Sequence, residues 1–199
     1  MSAINQAAVE LFAAKAKPVS ILVSEADSLE RALDLAVSVC EKKPLAHLLL
    51  PDAAPDSARK KTLAAPGLDE TSWNYLAEAG AKKGFEMIRG GLRNYLAGVD
   101  VTISVADLGV ADTATCVLEC PKEDDRLATM ICETHVIALA KSKIVANSYE
   151  AESFLERALA KERNYTAFIS GASRTADIER VLTLGVHGPL ELHLVMIEA

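Results

Sequence analysis

The amino-acid sequence predicts an α/β protein in which a mostly parallel sheet carries helices on both faces. Half of the 199 residues are hydrophobic but only 5% are aromatic, so we expect a core of Ala, Leu, Val and Ile. Short apolar runs of strand length alternate with segments of helical periodicity along the chain. Such alternation is typical of parallel strands joined by crossover helices, and the length suits a single domain over residues 1–199.

The first half of the chain shows this alternation in order. Residues 7–16 predict a helix, and residues 19–23 predict a strand. Ser24 or Asp27 then opens a longer helix that continues to Glu41 with its apolar residues at helical spacing. Further elements are predicted at residues 45–50 (strand), 62–65 (strand), 69–83 (helix capped by Asp69 or Thr71) and 85–88 (strand).

The second half begins with the cleanest strand pattern in the chain. Residues 99–105 place Val or Ile at every second position, with a polar residue between each pair. The later elements are predicted at residues 116–119 (strand), 126–133 (short helix or turn), 135–140 (strand), 144–145 (strand), 151–159 (helix), 166–170 (strand), 175–184 (helix) and 190–197 (strand).

The charge of the chain restricts its partners. Twenty-eight acidic residues against 21 basic ones give a net charge of -7, which argues against a nucleic-acid or anionic-membrane partner. We find no basic start followed by an apolar run, and no apolar run approaches the length of a membrane-spanning helix. We therefore expect a cytoplasmic protein with no membrane insertion.

The four cysteines do not predict a metal site. Cys40, Cys116, Cys120 and Cys132 contain no C-x-x-C pair, and their spacing fits neither zinc nor iron–sulfur ligation. We expect them to be small apolar core residues, with Cys116 and Cys120 on one face of a strand.

A glycine-opened segment near the carboxyl terminus is the strongest candidate for a ligand site. Residues 171–179 (GASRTADIE) read as a turn entering a helix, and the backbone N–H groups of a helix start suit an anion. Ser173, Arg174 and Thr175 add two hydroxyls and a guanidinium, which pairs well with carboxylates. The alternative is that Ser173 only caps the helix, with Asp177 and Glu179 complementing its dipole.

Two further segments carry polar groups. His187 is presented by a turn between Gly185 and Gly188, where it acts either as a proton acceptor or only as a turn residue. Asp112, Thr113 and Thr115 cluster between apolar segments, where turn formation alone could explain them. Because residues 106–115 and 170–175 both follow predicted strands, we expect both to line the crevice at the carboxyl ends of the sheet. The remaining histidines, His47, His135 and His193, fall in apolar or strand-like runs and are expected in the core or on a sheet face.

The second half of the chain resembles a known family. Residues 168–179 (FISGASRTADIE), 184–189 (LGVHGP) and 192–193 (LH) resemble the carboxyl-terminal signature of the LutC/YkgG family of LUD (lactate utilisation) domain proteins. Residues 106–115 (ADLGVADTAT) are similar to the family's A-D-T-G-T loop, and the Arg126-Leu127 and Glu133-x-His135 patterns follow in the same order. The resemblance covers residues 99–199. Residues 1–90 show only a compatible α/β rhythm, so the single LUD-type domain has a diverged amino-terminal part.

The resemblance implies a fold like that of NagB, RpiA and the CoA transferases, and a role in iron–sulfur-dependent oxidation of L-lactate to pyruvate. In that system the clusters lie in partner subunits of the LutA and LutB type, so we expect no cofactor in this chain and a small organic acid such as lactate as ligand. His187 and Glu133 are then the candidate catalytic groups, with Glu119 a second carboxylate, because CoA transferases of this fold use a glutamate. Asp112, Thr113, Thr115, Ser173, Arg174, Thr175 and Gly188 are the candidate ligand-binding residues.

The chain departs from the family pattern at Ala114, which stands where the family has glycine. An added Cβ matters there if the loop needs a positive φ or a close backbone approach. Two other functions stay open: a stand-alone enzyme of the CoA-transferase or sugar-phosphate isomerase type, and a non-catalytic assembly or regulatory protein.

Overall fold

The computed structural model describes residues 4–45, 59–95, 97–162, 165–176 and 182–198. The helices are α1 (Gln6–Ala16), α2 (Leu29–Lys42), α3 (Glu70–Lys82), α4 (Glu123–Ala128) and α5 (Glu152–Leu159). The strands are β1 (Ile21–Ala26), β2 (Thr62–Ala64), β3 (Glu86–Ile88), β4 (Val99–Val105), β5 (Leu108–Val110), β6 (Thr115–Cys120), β7 (Cys132–Ala140), β8 (Ile144–Val145), β9 (Tyr165–Ile169), β10 (Arg174–Thr175), β11 (Thr183–Leu184) and β12 (Glu191–Ile197).

A six-stranded, wholly parallel sheet forms the centre of the molecule. Its strand order is β1-β12-β7-β4-β2-β3, so the last strand of the chain inserts between the first strand and β7. Strands buried on both sides read as continuous apolar runs, and β7 and β12 do so over most of their length. The predicted α/β fold with a mostly parallel sheet is therefore confirmed.

Helices α2 and α3 cover one face of this sheet. Ser28 caps α2 and Asp69 caps α3, each accepting a hydrogen bond from the backbone N–H three residues on. Asp69 is one of the two caps predicted for α3, whereas α2 begins one residue later than the Asp27 alternative. Val136 and Ala138 of β7 point to this face and pack in one apolar cluster with α2 and α3.

The opposite face carries α1, α4 and a second sheet. Ile137 and Leu139, which alternate with Val136 and Ala138, pack in a cluster with α1, Cys116 and Leu118. The second sheet has the order β8-β5-β6-β9 and is mainly antiparallel, with only β5 and β8 parallel. The prediction of one mostly parallel sheet is incomplete here, because β5 lies within residues 106–115, for which the sequence predicts a loop.

Two other predicted elements differ from the structure. The helix predicted at residues 175–184 is wrong at both ends, since Arg174–Thr175 and Thr183–Leu184 pair as a short antiparallel hairpin. The short helix predicted at residues 126–133 begins earlier, at Glu123, and Cys132 already belongs to β7. The strand predicted at residues 45–50 lies almost entirely outside the described residues. Among the described helices, none is both long and apolar enough to cross a membrane.

Candidate functional site

The two glycine-bounded segments singled out in the sequence lie against each other. The Ser173 N–H donates to the Pro189 carbonyl at 2.8 Å, and the Gly185 N–H donates to the Ser173 carbonyl at 3.0 Å. A methyl group on Gly188 would lie 3.2 Å from Ser173 Cβ, so these backbones approach closely. The structure therefore places Ser173 and Gly188 in one cluster, with the exposed His187 beside them.

A chain of hydroxyl groups joins this cluster to the loop before β6. Thr113 Oγ1 lies 2.8 Å from Thr115 Oγ1, which lies 2.6 Å from Ser170 Oγ. Ser170 immediately precedes Gly171, so the chain runs from the Asp112–Thr115 loop to the glycine segment. Asp112 is exposed at the start of this loop, where its N–H donates to the Ala146 carbonyl. The two predicted binding loops thus meet, although 55 residues separate Thr115 from Ser170.

The cluster lies at the amino end of the parallel sheet. Arg174 donates to the Pro18 carbonyl at 3.4 Å and to Ser20 Oγ, and both acceptors precede β1. The other segment, ending at Leu190, leads directly into β12. The expectation of a crevice at the carboxyl ends is wrong for these residues, because β9, the strand before Gly171, belongs to the second sheet.

No helix begins at Ser173, so the predicted binding of an anion by a helix start is also wrong. Arg174 and Thr175 are extended and hydrogen-bonded to β11. Any anion binding here has to rely on the Arg174 guanidinium and on hydroxyl groups. Asp177 and Glu179 lie outside the described residues.

The Glu133 backbone also lies at the amino end of the parallel sheet. The Leu190 N–H donates to the Glu133 carbonyl at 2.8 Å, three residues after His187 in the chain. Both candidate catalytic groups, Glu133 and His187, therefore belong to the amino edge. Glu119 lies elsewhere, on β6 of the second sheet. There it forms an ion pair with Lys161, and its N–H donates to the Asp107 carboxylate.

A buried ion pair lies next to Glu133. Asp100 of β4 accepts two hydrogen bonds from Arg59, at 2.7 and 2.8 Å, and two more from the backbone N–H and hydroxyl of Thr62. The Asp100 hydrogen bond is the main cause that raises the pKa of Arg59, and the Glu133 charge adds to it. Sequence reasoning missed this pair, because Asp100 occupies a polar position in a strand and its partners come from other segments.

A model of the LUD domain matches residues 9–197.

The chain belongs to the LUD domain family.

Proteins named Lactate utilization protein C are among its relatives. The protein from Geobacillus sp. (strain WCH70) is 29% identical over 107 residues, which cover 52% of this chain and 44% of the relative. Its counterpart from Exiguobacterium sp. (strain AT1b) is 32% identical over 101 residues, covering 49% and 44%. The match to Bacillus velezensis is 28% over 128 residues, covering 63% and 49%. This LUD domain thus spans about half the length of the curated relatives it matches.

A solved structure supports the fold. The crystal structure of a DUF162 family protein from Deinococcus radiodurans superposes with a TM-score of 0.64 over 96% of this chain and 97% of that one. The sequence identity is 14%, so this likeness concerns the fold alone.

The position at which this LUD domain departs from the family pattern has a left-handed backbone. Ala114 has φ 49° and is fully buried. The loop therefore needs the positive φ that glycine adopts freely, and alanine adopts it at a cost of about 1–2 kcal/mol. Burial of its methyl group in the cluster formed by α1 and β6 offsets part of that cost.

The four thiols of this LUD domain are all buried and free. Burial raises the pKa of Cys116 and of Cys132 to about 12, and it is the largest cause for Cys40 and Cys120 as well. No group of three or more His, Cys, Asp or Glu side chains in the described ranges could hold a metal ion. The interpretation of Cys116 and Cys120 as core residues on one strand face is confirmed, since both pack in the cluster that contains Leu118.

His193 lies on a sheet face, as predicted. It lies on β12 and is partly exposed, and its Nε2 lies 3.3 Å from Glu191 Oε2. Glu191 also pairs with Lys43. This group of charges at the amino edge could have been suspected from the Glu-x-His spacing, which places both side chains on one face of a strand.

His135 is a core residue, as predicted. It is fully buried on β7, with Nε2 3.0 Å from Ser104 Oγ and with no partner for Nδ1. Burial lowers its pKa to about 3, so the imidazole is neutral and a weak base. The His135–Ser104 pair therefore does not form an activated nucleophile. His47 lies outside the described residues.

The neutral His135 predicts acid-sensitive stability. The pKa of His135 in the folded protein is about 3, below the ordinary value of 6.5. The contribution of the neutral imidazole to the free energy of unfolding is therefore complete above pH 6.5 and is lost as the pH falls toward 3. Between these two pH values, this group lowers the free energy of unfolding by about 1.4 kcal/mol for each pH unit of acidification. Urea unfolding at pH 7 and pH 5 should show a loss of about 2 kcal/mol from this group.

The variant His135→Asn isolates the effect. It is expected to be less stable at pH 7 but to lose about 2 kcal/mol less than the wild type on moving to pH 5. The matched variant His193→Asn accounts for the other described histidine whose pKa burial lowers. An unchanged pH dependence in His135→Asn would show that His135 titrates normally.

Proposed function

We propose that this chain is the non-cluster component of a cytoplasmic L-lactate oxidation system, in which it binds the small hydroxy acid. The observation that carries the proposal is the meeting of both candidate loops at one edge, joined by the hydroxyls of Thr113, Thr115 and Ser170. Family membership and the names of the relatives support the lactate part.

The side chains at this edge suit a 2-hydroxy acid. The Arg174 guanidinium has the planar, forked geometry that binds carboxylates. Ser173, Thr175 and the Thr113–Thr115–Ser170 hydroxyls supply both donors and acceptors for a ligand hydroxyl. His187 and Glu133 are then the groups to accept a proton from the bound acid.

The electrons of the oxidation leave through partner subunits of the LutA and LutB type, which carry the iron–sulfur clusters. This part of the proposal rests on the sequence resemblance. Within this chain the roles are binding and proton transfer.

Lactate-dependent dye reduction tests the proposal. An anaerobic extract of a strain that lacks this chain is supplemented with wild-type protein, with His187→Ala or with Arg174→Ala. We expect wild-type protein to restore activity, and both variants to lose it by at least about tenfold, because each removes a group that contacts the acid or its proton. Tyr149→Ala, at a side chain that is 88% exposed, is the matched control and should behave as the wild type.

The other outcomes favour the alternatives. Activity that does not depend on the chain rejects the lactate role, and a thermal shift with an acyl-CoA or a sugar phosphate would then support a stand-alone enzyme. Activity that needs the chain but tolerates both variants would support the assembly or regulatory role.

A further inference from the structure

We propose that Ser20 is a positioning residue, which holds the Arg174 guanidinium in the orientation that binds the carboxylate of the ligand. Ser20 directly precedes β1 and lies 154 residues from Arg174 in the chain. This inference rests on the proposed function, in which Arg174 binds the acid, and adds a determinant of affinity to it.

The backbone of Ser20 has a conformation that serine rarely adopts. Its φ is 58° and its ψ is 36°, which is the left-handed region. In this conformation it ends a 3₁₀ turn over Lys17–Val19, and its N–H donates to the Lys17 carbonyl at 3.0 Å. Glycine adopts a positive φ without strain and is the usual residue at such a position. Ser20 therefore carries backbone strain that glycine would avoid.

The strained backbone of this chain adjoins the candidate site. Within the described ranges, Ser20 and Ala114 are the two non-glycine residues with a positive φ. Ala114 belongs to the Asp112–Thr115 loop. Ser20 lies beside the glycine segment, because an added Cβ on Gly171 would overlap the carbonyl oxygen of Val19. Strain that is concentrated around a site in this way is typical of residues that serve a function there.

The hydroxyl of Ser20 contacts Arg174 directly. Arg174 Nη2 donates to Ser20 Oγ, and Arg174 Nη1 donates to the Pro18 carbonyl at 3.4 Å. The planar guanidinium is thus held at both terminal nitrogens, which fixes its plane. Arg174 itself is exposed, so these contacts orient the group without burying it.

Arg174 keeps enough N–H groups to bind a carboxylate. A guanidinium carries five N–H donors, and the contacts with Pro18 and Ser20 use two of them. A carboxylate needs two donors for a bidentate pair. An arginine that is ordered before the ligand arrives loses less side-chain entropy on binding. The Ser20 hydroxyl should therefore strengthen the binding of the acid.

Ser20→Gly separates positioning from stability. It removes the hydroxyl but relieves the strained φ, so its melting temperature should equal or exceed that of the wild type. Titration calorimetry should nevertheless show L-lactate binding about tenfold more weakly, since Arg174 loses a charge-assisted hydrogen bond. In lactate-dependent dye reduction the KM should rise by about the same factor while kcat stays unchanged, because Ser20 takes no part in proton transfer.

Arginine side-chain NMR observes the positioning without a ligand. The Arg174 Nε–H group of the wild type should show restricted motion on the ps–ns timescale, and Ser20→Gly should release it. Ser20→Asn is the conservative variant, because asparagine tolerates a positive φ and supplies an acceptor oxygen, and it should restore most of the affinity. Tyr149→Ala is the control and should keep the wild-type affinity and the wild-type Arg174 signal.

The outcomes distinguish the two proposals. An Arg174 side chain that is as mobile in the wild type as in Ser20→Gly would overturn the positioning role alone. Lactate binding that Ser20→Gly leaves unchanged would do the same. A melting temperature that falls together with the affinity would show that Ser20 is structural. If the wild type does not bind lactate, the proposed function fails, and the positioning role for this ligand fails with it.

Discussion

Replacing Asp100 by asparagine is expected to lower the free energy of unfolding by about 3–5 kcal/mol. The Asp100 side chain is 3% exposed and its carboxylate accepts four hydrogen bonds, two of them from Arg59. An amide in its place turns an NH2 group toward a donor and removes the negative charge that pairs with the Arg59 guanidinium, whose side chain is only 20% exposed. Urea unfolding of the wild type and the variant at pH 7 measures the difference.

Asp34→Asn is the matched control. Asp34 also pairs with an arginine, Arg31, at 3.4 Å, but both side chains are substantially exposed. Exposed pairs contribute about 0–1 kcal/mol, so this variant should be close to the wild type. Equal costs at the two positions would mean that water reaches the Arg59–Asp100 pair and that it does not anchor β2 to β4.

Replacing Gly171 by alanine is expected to cost about 2–5 kcal/mol. Gly171 has φ 98°, which strains any residue with a Cβ, and the added methyl would overlap the Val19 carbonyl oxygen. Neither the Val19 backbone nor the Gly171 backbone can move without displacing the start of β1 or the end of β9. Thermal and urea unfolding of the purified variant would show the loss.

Gly84→Ala separates strain from overlap. Gly84 also has a positive φ, 77°, but no atom lies within 4 Å of an added Cβ. We expect it to cost only about 1 kcal/mol. A Gly171→Ala variant as mild as Gly84→Ala would contradict the close packing of the glycine segment against the residues before β1.

The close packing of Gly171 against Val19 also matters for the candidate site. Ser170, directly before Gly171, belongs to the hydroxyl chain, and Ser173, two residues after it, makes the Pro189 contact. A shift of this backbone should therefore weaken ligand binding even where the chain still folds. The signature glycine is explained by close backbone approach, and the predicted helix start plays no part.

Most elements could be predicted from local sequence because their patterns reflect local rules. The alternation over β4 follows from the two-residue period of a strand, and Asp69 was recognisable as a helix cap by its position before a periodic segment. The apolar runs of β7 and β12 likewise predicted strands buried on both faces.

The errors arose where distant segments decide the structure. Arg174 and Thr175 follow a glycine and a serine, a pattern that suits a helix start, but pairing with β11 makes them extended. β5 is only three residues long and depends on β6 and β8 for its hydrogen bonds, so no period could indicate it. The parallel-sheet rule then predicted the wrong edge, because β9 joins the second sheet.

Residue types and their order were enough to indicate the α/β class, the aliphatic core and the segments that carry polar groups, since these depend on periodicity and composition. Which polar groups meet was decided by strand order. The insertion of β12 between β1 and β7 brings Glu191 beside Thr134 and the Gly185–Pro189 segment beside Ser173. Hydrogen bonding across a sheet joins residues that are far apart in the chain, and no local pattern records which strand becomes the neighbour.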